Sequence, residues 1–332
     1  MVKTGSSTIK TSIITVIIVG ALTALGLGFY FNRQILFDLI SANTYNPSPE
    51  ISAIESKIRL TDNAKTVFHA SRPSLEDHEE FNAHCQSHDS EISVLGCYTG
   101  GRIYLYDIKT NELTGVVEST AAHELLHAEW ERMTPTDKSE ISTAINDVYN
   151  DPKYHDLLAE DLSTYDESER LEELHSRIGT EIATLPDILE RHYAKYFENQ
   201  DLVVDFYNSY ITPFRELSDE LDNLSAELER LNQEIEEKTN DYRQRSDKLS
   251  SRIDEFNNCA TTTGCFATES AFYSRRNELV AEQTALDTLY ENLNNLVNRY
   301  NSVVAEYNEN VLRGETLDQV INSNKAKSEI SK

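Results

Sequence analysis

The sequence is short of helix breakers: seven prolines and eleven glycines are spread through 332 residues. That excludes collagen-like and Gly/Pro-rich linker classes and points towards helix. Positive charge is scarce as well, with 30 Lys and Arg against 57 Asp and Glu, for a net charge of −27. A protein that reads phosphates clusters Lys and Arg to displace counterions, and no basic patch stands out, so no nucleic-acid partner is expected. Signatures of common chemistries are missing too: no nucleotide-binding glycine loop, no G-x-S-x-G elbow, no C-x-x-C and no glycosidase-like carboxylate pair can be argued from spacing. Hydrophobic residues amount to 39 %. That supports a real core in part of the chain but is low for a compact globule throughout, so some stretch must be poorly buried.

One long run carries no charge. Between Lys10 and Arg33 the chain reads Ile13-Ile14-Thr15-Val16-Ile17-Ile18-Val19-Gly20 and stays apolar through Leu22, Leu25 and Leu27 to Phe31. About 20 such residues span a bilayer as a helix, so residues 1–33 are expected to form one N-terminal transmembrane anchor. Lys3 and Lys10 precede the run, which places the N-terminus in the cytoplasm and everything after Arg33 outside. The expected location is the cell membrane, single-pass, with an extracytoplasmic C-terminal part. A cleaved signal peptide is the competing reading, with Ala21-Leu22-Thr23-Ala24 as its small-residue site, but the apolar run continues beyond it. The four cysteines suit an oxidising compartment: Cys85 with Cys97, and Cys259 with Cys265, read as two disulfides closing short loops.

After a linker at Asn46-Pro47-Ser48-Pro49, Ser48 or Ser52 is positioned to cap a short helix ending near Leu60. Three strands are expected at 65–69, 92–98 and 102–107, from their β-branched and aromatic content, with a short helix over 76–83 between the first two. Thr99-Gly100-Gly101 joins the last two strands as a tight hairpin. From Val116 the periodicity becomes helical, with helices over 116–133, 137–149 and 167–183 stopped at Pro135, Pro152 and Pro186, and a fourth to about Phe197. A small α+β domain is therefore expected over 46–214. Beyond it Leu217, Leu221, Leu224, Leu228, Leu231 and Ile235 alternate spacings of four and three, and the pattern resumes after Cys265 with Leu279, Leu286, Leu293 and Leu296. That is a heptad seam. It predicts an antiparallel coiled-coil hairpin over 215–312, with arms of about 65 Å, followed by a frayed polar tail over 313–332.

The motif that carries chemistry is His123-Glu124-Leu125-Leu126-His127. Two histidines four apart lie on one helical face, so both imidazoles can reach one tetrahedral zinc ion. Glu124 then sits beside the open position, where it can take a proton from water. Ala121, Ala122 and Ala128 are small residues where a neighbouring helix would pack closely.

Through this motif, and through the sheet-then-helix order before it, the chain resembles the zincin metallopeptidases over about 60–200. The metzincin extension is absent, since Trp130 and Met133 stand where its glycine and third histidine would fall. The gluzincins take a third ligand from a Glu on a later helix, and Glu172-Glu173-Leu174-His175-Ser176 looks like their Asn-Glu-x-x-small pattern. The resemblance implies Glu173 as ligand, Glu172 in the Asn position, and Ser176 as the small residue that lets the helix approach the metal. His175 and Glu181 remain alternatives, because they lie nearer the apolar face of Leu171, Leu174, Ile178 and Ile182. Four positions after the ligand, where gluzincins often carry an acidic residue that orients a zinc histidine, this chain has Arg177. The family's second electrophile, a His or Tyr, would be His192, Tyr193 or Tyr196 on the next helix.

The implied activity is hydrolysis of peptide bonds by zinc-activated water, with Zn2+ as cofactor, His123, His127 and Glu173 as its ligands, and Glu124 as general base. Peptide or protein is the substrate, and the strand over 102–107 is expected to be the edge that pairs an extended peptide. The membrane is a partner through the N-terminal helix, and a protein or a second copy through the coiled coil. The alternative is a non-enzymatic envelope protein in which the hairpin does the work and the small domain is a degenerate zincin scaffold.

Overall fold

The computed structural model describes residues 33–85, 94–159, 162 and 167–322. The expected anchor over 1–33 therefore lies almost wholly outside the described residues, among which no helix is long and apolar enough to cross a membrane. The chain divides into two compact units, one ending at Pro213 and taking in the chain from Asp318, the other Phe214–Leu317.

The first unit is α+β. Its described residues run from helix over 33–44 (α1) through α2 (Pro49–Ile58) and α3 (Asp62–Ala70) to β1 (Ser74–Glu76), α4 (His78–His84), β2 (Gly96–Thr99) and β3 (Arg102–Tyr106). Helices α5 (Val116–Arg132), α6 (Pro135–Tyr149), α7 (His155–Ala159), α8 (Glu167–Glu181) and α9 (Asp187–Tyr193) lead into α10 (Gln200–Ala260). Local signals account for several boundaries. Ser48 Oγ accepts the Ile51 N–H to cap α2, and Thr134 and Asp137 form a reciprocal capping box at the start of α6 with Pro135 in its first turn. The Cys85–Cys97 disulfide ties the end of α4 to β2.

The three strands stand in the order β1-β3-β2. β2 runs antiparallel to β3 with Gly96 opposite Leu105 and Thr99 opposite Arg102, and β1 runs parallel on the other side with Ser74 opposite Tyr104. The turn at Gly100 and Gly101 has φ of 59° and 76°, the pair of positive values that a two-residue hairpin of this hand requires.

Two expectations are corrected here. Residues 65–69 are not a strand but the body of α3. Thr61 Oγ1 caps that helix by accepting the Ala64 N–H, Asp62 sits in its first turn, and Ala64 and Phe68, one turn apart, are buried together. Caps and a buried helical face outweigh the β preference of Thr66 and Val67, which is weak and depends on context. The strand that takes the expected place is β1, three residues long. The strand over 102–107 is also not an edge: β3 is central, paired on both sides, and Ile103, Tyr104 and Leu105 are buried. It has no free main-chain edge to offer a peptide. Part of the expected strand over 92–98, residues 92 and 93, lies outside the described residues, and β2 begins at Gly96.

The core of this unit forms around α5. Ala121, Ala122, Leu125, Leu126 and Ala128 are all fully buried, and join Ile58, Phe68, Leu105, Ile145, Ile178, Leu189 and Tyr193 in one cluster. β2 and β3 pack on one side of α5 and α8 packs on it as well. The small alanines allow that double contact, as the spacing implied.

The second unit is a helical hairpin made of α10 from Phe214 and α11 (Glu269–Ile321). Leu224, Leu231 and Val303 form one buried cluster along the seam and Leu249, Leu279 and Leu286 another. Arg299 pairs with Glu227 at 2.6 Å and Arg252 with Glu278 at 3.5 Å, which sets the arms antiparallel. The Cys259–Cys265 disulfide closes the turn. Two differences from the sequence pattern are seen. α10 starts at Gln200 and runs through Pro213, because Val203, Val204 and Tyr207 bury its first turns and offset the roughly 3 kcal/mol that an internal proline costs. α11 continues past Arg313 to Ile321, and Leu317 is buried.

Candidate metal centre

Helix α5 carries His123 and His127 one turn apart, with their Nε2 atoms 3.1 Å from each other. Helix α8 comes unusually close to it. A Cβ on Gly179 would lie 2.5 Å from Leu126 Cδ1 of α5 and 2.5 Å from Tyr193 Cε1 of α9, so any side chain there would displace one of them. The approach delivers Glu173, whose Oε1 is 3.6 Å from His123 Nε2 and whose Oε2 is 3.3 Å from His127 Nε2. Donor atoms of the three side chains all lie within 4.8 Å of one another. Tetrahedral ligands about 2.0 Å from a metal sit roughly 3.3 Å apart, so these two imidazoles and one carboxylate fit a single small cation and leave a coordination position open. This buried group could hold a metal ion.

The electrostatics favour a cation. Burial disfavours a charge on His127, yet the Glu172 and Glu173 carboxylates outweigh it and push the imidazole up to about 10. Burial likewise opposes the charge on Glu173, and the two histidines overcome it, holding its carboxyl well below the usual range. The field that keeps a proton between these side chains is the field a metal ion would satisfy in its place.

Behind the trio stands Glu172, with Oε1 3.0 Å from His127 Nδ1. A proton on Nδ1 donated to this carboxylate fixes the tautomer that leaves Nε2 free as a ligand. The orienting acid expected four residues after the ligand, where Arg177 stands, is thus supplied by the residue just before it. Arg177 serves elsewhere: it pairs with Glu181 at 2.9 Å and donates to the carbonyls of Leu157 and Leu158.

Glu124 is 5 % exposed and lies against the sheet. A Cβ on Gly96 would come within 2.9 Å of its Cγ, so β2 rests directly on the side chain, and the Tyr98 backbone N–H donates to its carboxylate. Burial raises the Glu124 pKa, while His127 and His123 pull it down and Glu173 adds to the rise. The net upward shift suits a group that takes a proton and later releases it.

Of the ligand alternatives, Glu181 is engaged by Arg177, and His175 is fully buried with Nε2 2.8 Å from His192 Nε2. Burial, then the neighbouring His192, lowers the His175 pKa, and burial lowers that of His192 to about 4, so neither ring carries charge. Tyr193 donates its hydroxyl to the His175 carbonyl at 2.8 Å, and Tyr196 packs edge-on to both rings. His192 and Tyr193 thus sit in a buried aromatic cluster with Trp130, and among the described residues neither hydrogen-bonds to His123, Glu124, His127 or Glu173. Ser176, the expected small residue of α8, is buried as well, and Gly179, three residues on, packs on Leu126 of α5. Gly96, Gly179 and the role of Glu172 escaped the sequence reading. An isolated glycine in a strand or helix marks close approach without saying to what.

No family model, no curated protein and no solved structure matches the chain.

Proposed function

We propose that the chain is a zinc-dependent peptidase of the gluzincin-like zincin type, anchored in the cell membrane by its N-terminal segment and working on peptide or protein outside the cytoplasm. The observation that carries this reading is the convergence of His123, His127 and Glu173 beside Glu124, a buried carboxylate with a raised pKa. When bound, Zn2+ supplies a Lewis acid that polarises the scissile carbonyl and makes a water acidic enough to ionise near neutral pH. The remaining steps belong to the chain. Glu124 accepts the proton of the attacking water and passes it to the leaving amine, while the Tyr98 N–H keeps its carboxylate in place. Glu172 holds the His127 ring in its ligating orientation. β2 has no strand on its outer side among the described residues and touches Glu124 through Gly96, so we assign it the peptide-pairing edge. His192 and Tyr193 are given no step, since their partners are one another and His175.

A non-enzymatic role for the hairpin is the second reading, favoured by its forming a compact unit of its own. Metal separates the two. The purified full chain should hold close to one zinc per chain if the peptidase reading is right, and none if the domain is a degenerate scaffold. Glu124→Gln should keep the zinc and the fold yet lose hydrolysis by roughly 10²- to 10⁴-fold, the usual contribution of a general base. A fully active Glu124→Gln protein would sink the mechanism.

A further inference from the structure

Helix α1 is inside out. Ile35, Leu36, Phe37, Leu39 and Ile40 are 58 %, 41 %, 58 %, 45 % and 62 % exposed, while Asp38 among them is 8 % exposed. At about 100° per residue the five apolar side chains sweep roughly 200° of the helix surface, and Gln34, Asp38 and Ser41 share the remaining face. That polar face is the one attached to the protein. Asp38 takes both arms of Arg132, Nε to Oδ2 at 3.0 Å and Nη2 to Oδ1 at 2.9 Å. Gln34 donates to Asp38, Ser41 donates to the Ala70 carbonyl, and Arg72 donates to Ser41 and Thr44.

A helix on a water-soluble globule turns its apolar stripe inward and its charges outward. Single exposed apolar residues are ordinary, but five together on two turns of one helix mark a surface that is not meant for water. The chain itself indicates what covers this one. The uncharged run 11–32 leads directly into Arg33, the first described residue, which is already helical. Wherever that run enters a bilayer, α1 must lie at its boundary.

We propose that α1 rests against the lipid bilayer with Ile35, Leu36, Phe37, Leu39 and Ile40 in its apolar boundary, and that the Asp38–Arg132 pair tethers the metal-bearing helix α5 to that surface. The inference rests on the membrane anchoring proposed above. The tether is short. Arg132 ends α5, one turn and a residue after His127, and donates Nη1 to the Tyr98 hydroxyl at 3.0 Å and to the Ala128 carbonyl at 2.7 Å. The backbone of the same Tyr98 holds Glu124. A paired guanidinium and carboxylate with little exposure is stiff enough to transmit position, because both arms of the Arg are fixed.

The test uses the full chain in vesicles of phosphatidylcholine and phosphatidylglycerol, with nitroxide labels on Phe37→Cys, Ile40→Cys and, for a water reference, Ser139→Cys. Labels at 37 and 40 should collide with lipid-soluble oxygen several-fold more than with a water-soluble nickel chelate, with the order reversed at 139. Chelate access at 37 and 40 equal to that at 139 overturns the proposal. So does protection from both reagents, which would mean that a second copy or another protein covers the helix. A label on Val19→Cys reads the anchor separately: lipid contact there with water contact at 40 would end the α1 proposal and leave the anchor standing. Asp38→Ala should broaden the spin–spin distance distribution between 40 and 139, and an unchanged width overturns the tether.

Discussion

Glu172 grips His127 from the side opposite the candidate metal centre: its Oε1 is 3.0 Å from Nδ1, while Nε2 of the same ring faces His123 and Glu173. Consecutive residues of α8 thus face two ways, Glu173 into the group that could hold a metal ion and Glu172 onto the far nitrogen of His127. Neighbouring positions on a helix point about 100° apart, so both can reach only because His127 lies in the wedge between them.

This arrangement makes Glu172 a test of orientation apart from charge at the metal. Glu172→Gln should weaken zinc affinity by about 10- to 100-fold, the range seen when an outer carboxylate is lost from a metal-bound histidine. Competition with a chelating dye of known affinity measures it. Affinity equal to that of the unaltered chain would show that His127 needs no such support.

Gly179→Ala should lower both stability and metal affinity. A methyl group there meets Leu126 and Tyr193 at 2.5 Å. Overpacking costs about 1–3 kcal/mol, against a helix-propensity gain of about 1 kcal/mol for removing a glycine. The strained contact with Leu126 joins the same two helices, α8 and α5, that carry Glu173 and the two histidines. Thermal melting and zinc titration should therefore move together, and a more stable variant with unaltered affinity would refute the packing argument.

Removing metal should act on one unit only. All three donor residues belong to the unit ending at Pro213. With free zinc at about 100 times Kd, binding adds about 2.7 kcal/mol to the stability of the state that binds it. Chelation should lower the melting transition of that unit and leave the hairpin transition in place. Equal loss in both would mean that the units unfold as one.

The Cys259–Cys265 bond closes a loop between cysteines only six positions apart. By chain entropy such a loop is worth about 2 kcal/mol. Replacing both cysteines with serine should speed amide exchange around the turn and leave zinc content unchanged. Zinc lost together with protection at the turn would show that the hairpin supports the metal site.

The sequence by itself determined whatever depends on residues a few positions apart. The spacing of His123 and His127 puts both on one helical face, Ser48 caps α2, Gly100 and Gly101 supply the positive φ of the hairpin, and the leucine seam sets the two long arms. Each is a local rule, satisfied or broken within a turn or two of chain. Tertiary structure decided what depends on which surfaces meet. Whether Glu173, His175 or Glu181 joins the histidines is a question of the face that α8 turns towards α5, and the packing of Gly179 on Leu126, of His175 on Trp130 and of Glu172 on His127 fixes that face. The same holds for residues 65–69, helical because Ala64 and Phe68 found a core to enter, and for β3, central because the three-residue β1 lies along its other side. Asp38 makes the point most sharply: only the position of Arg132, 94 residues along the chain, turns the charged side of that helix inward and leaves its five apolar residues exposed.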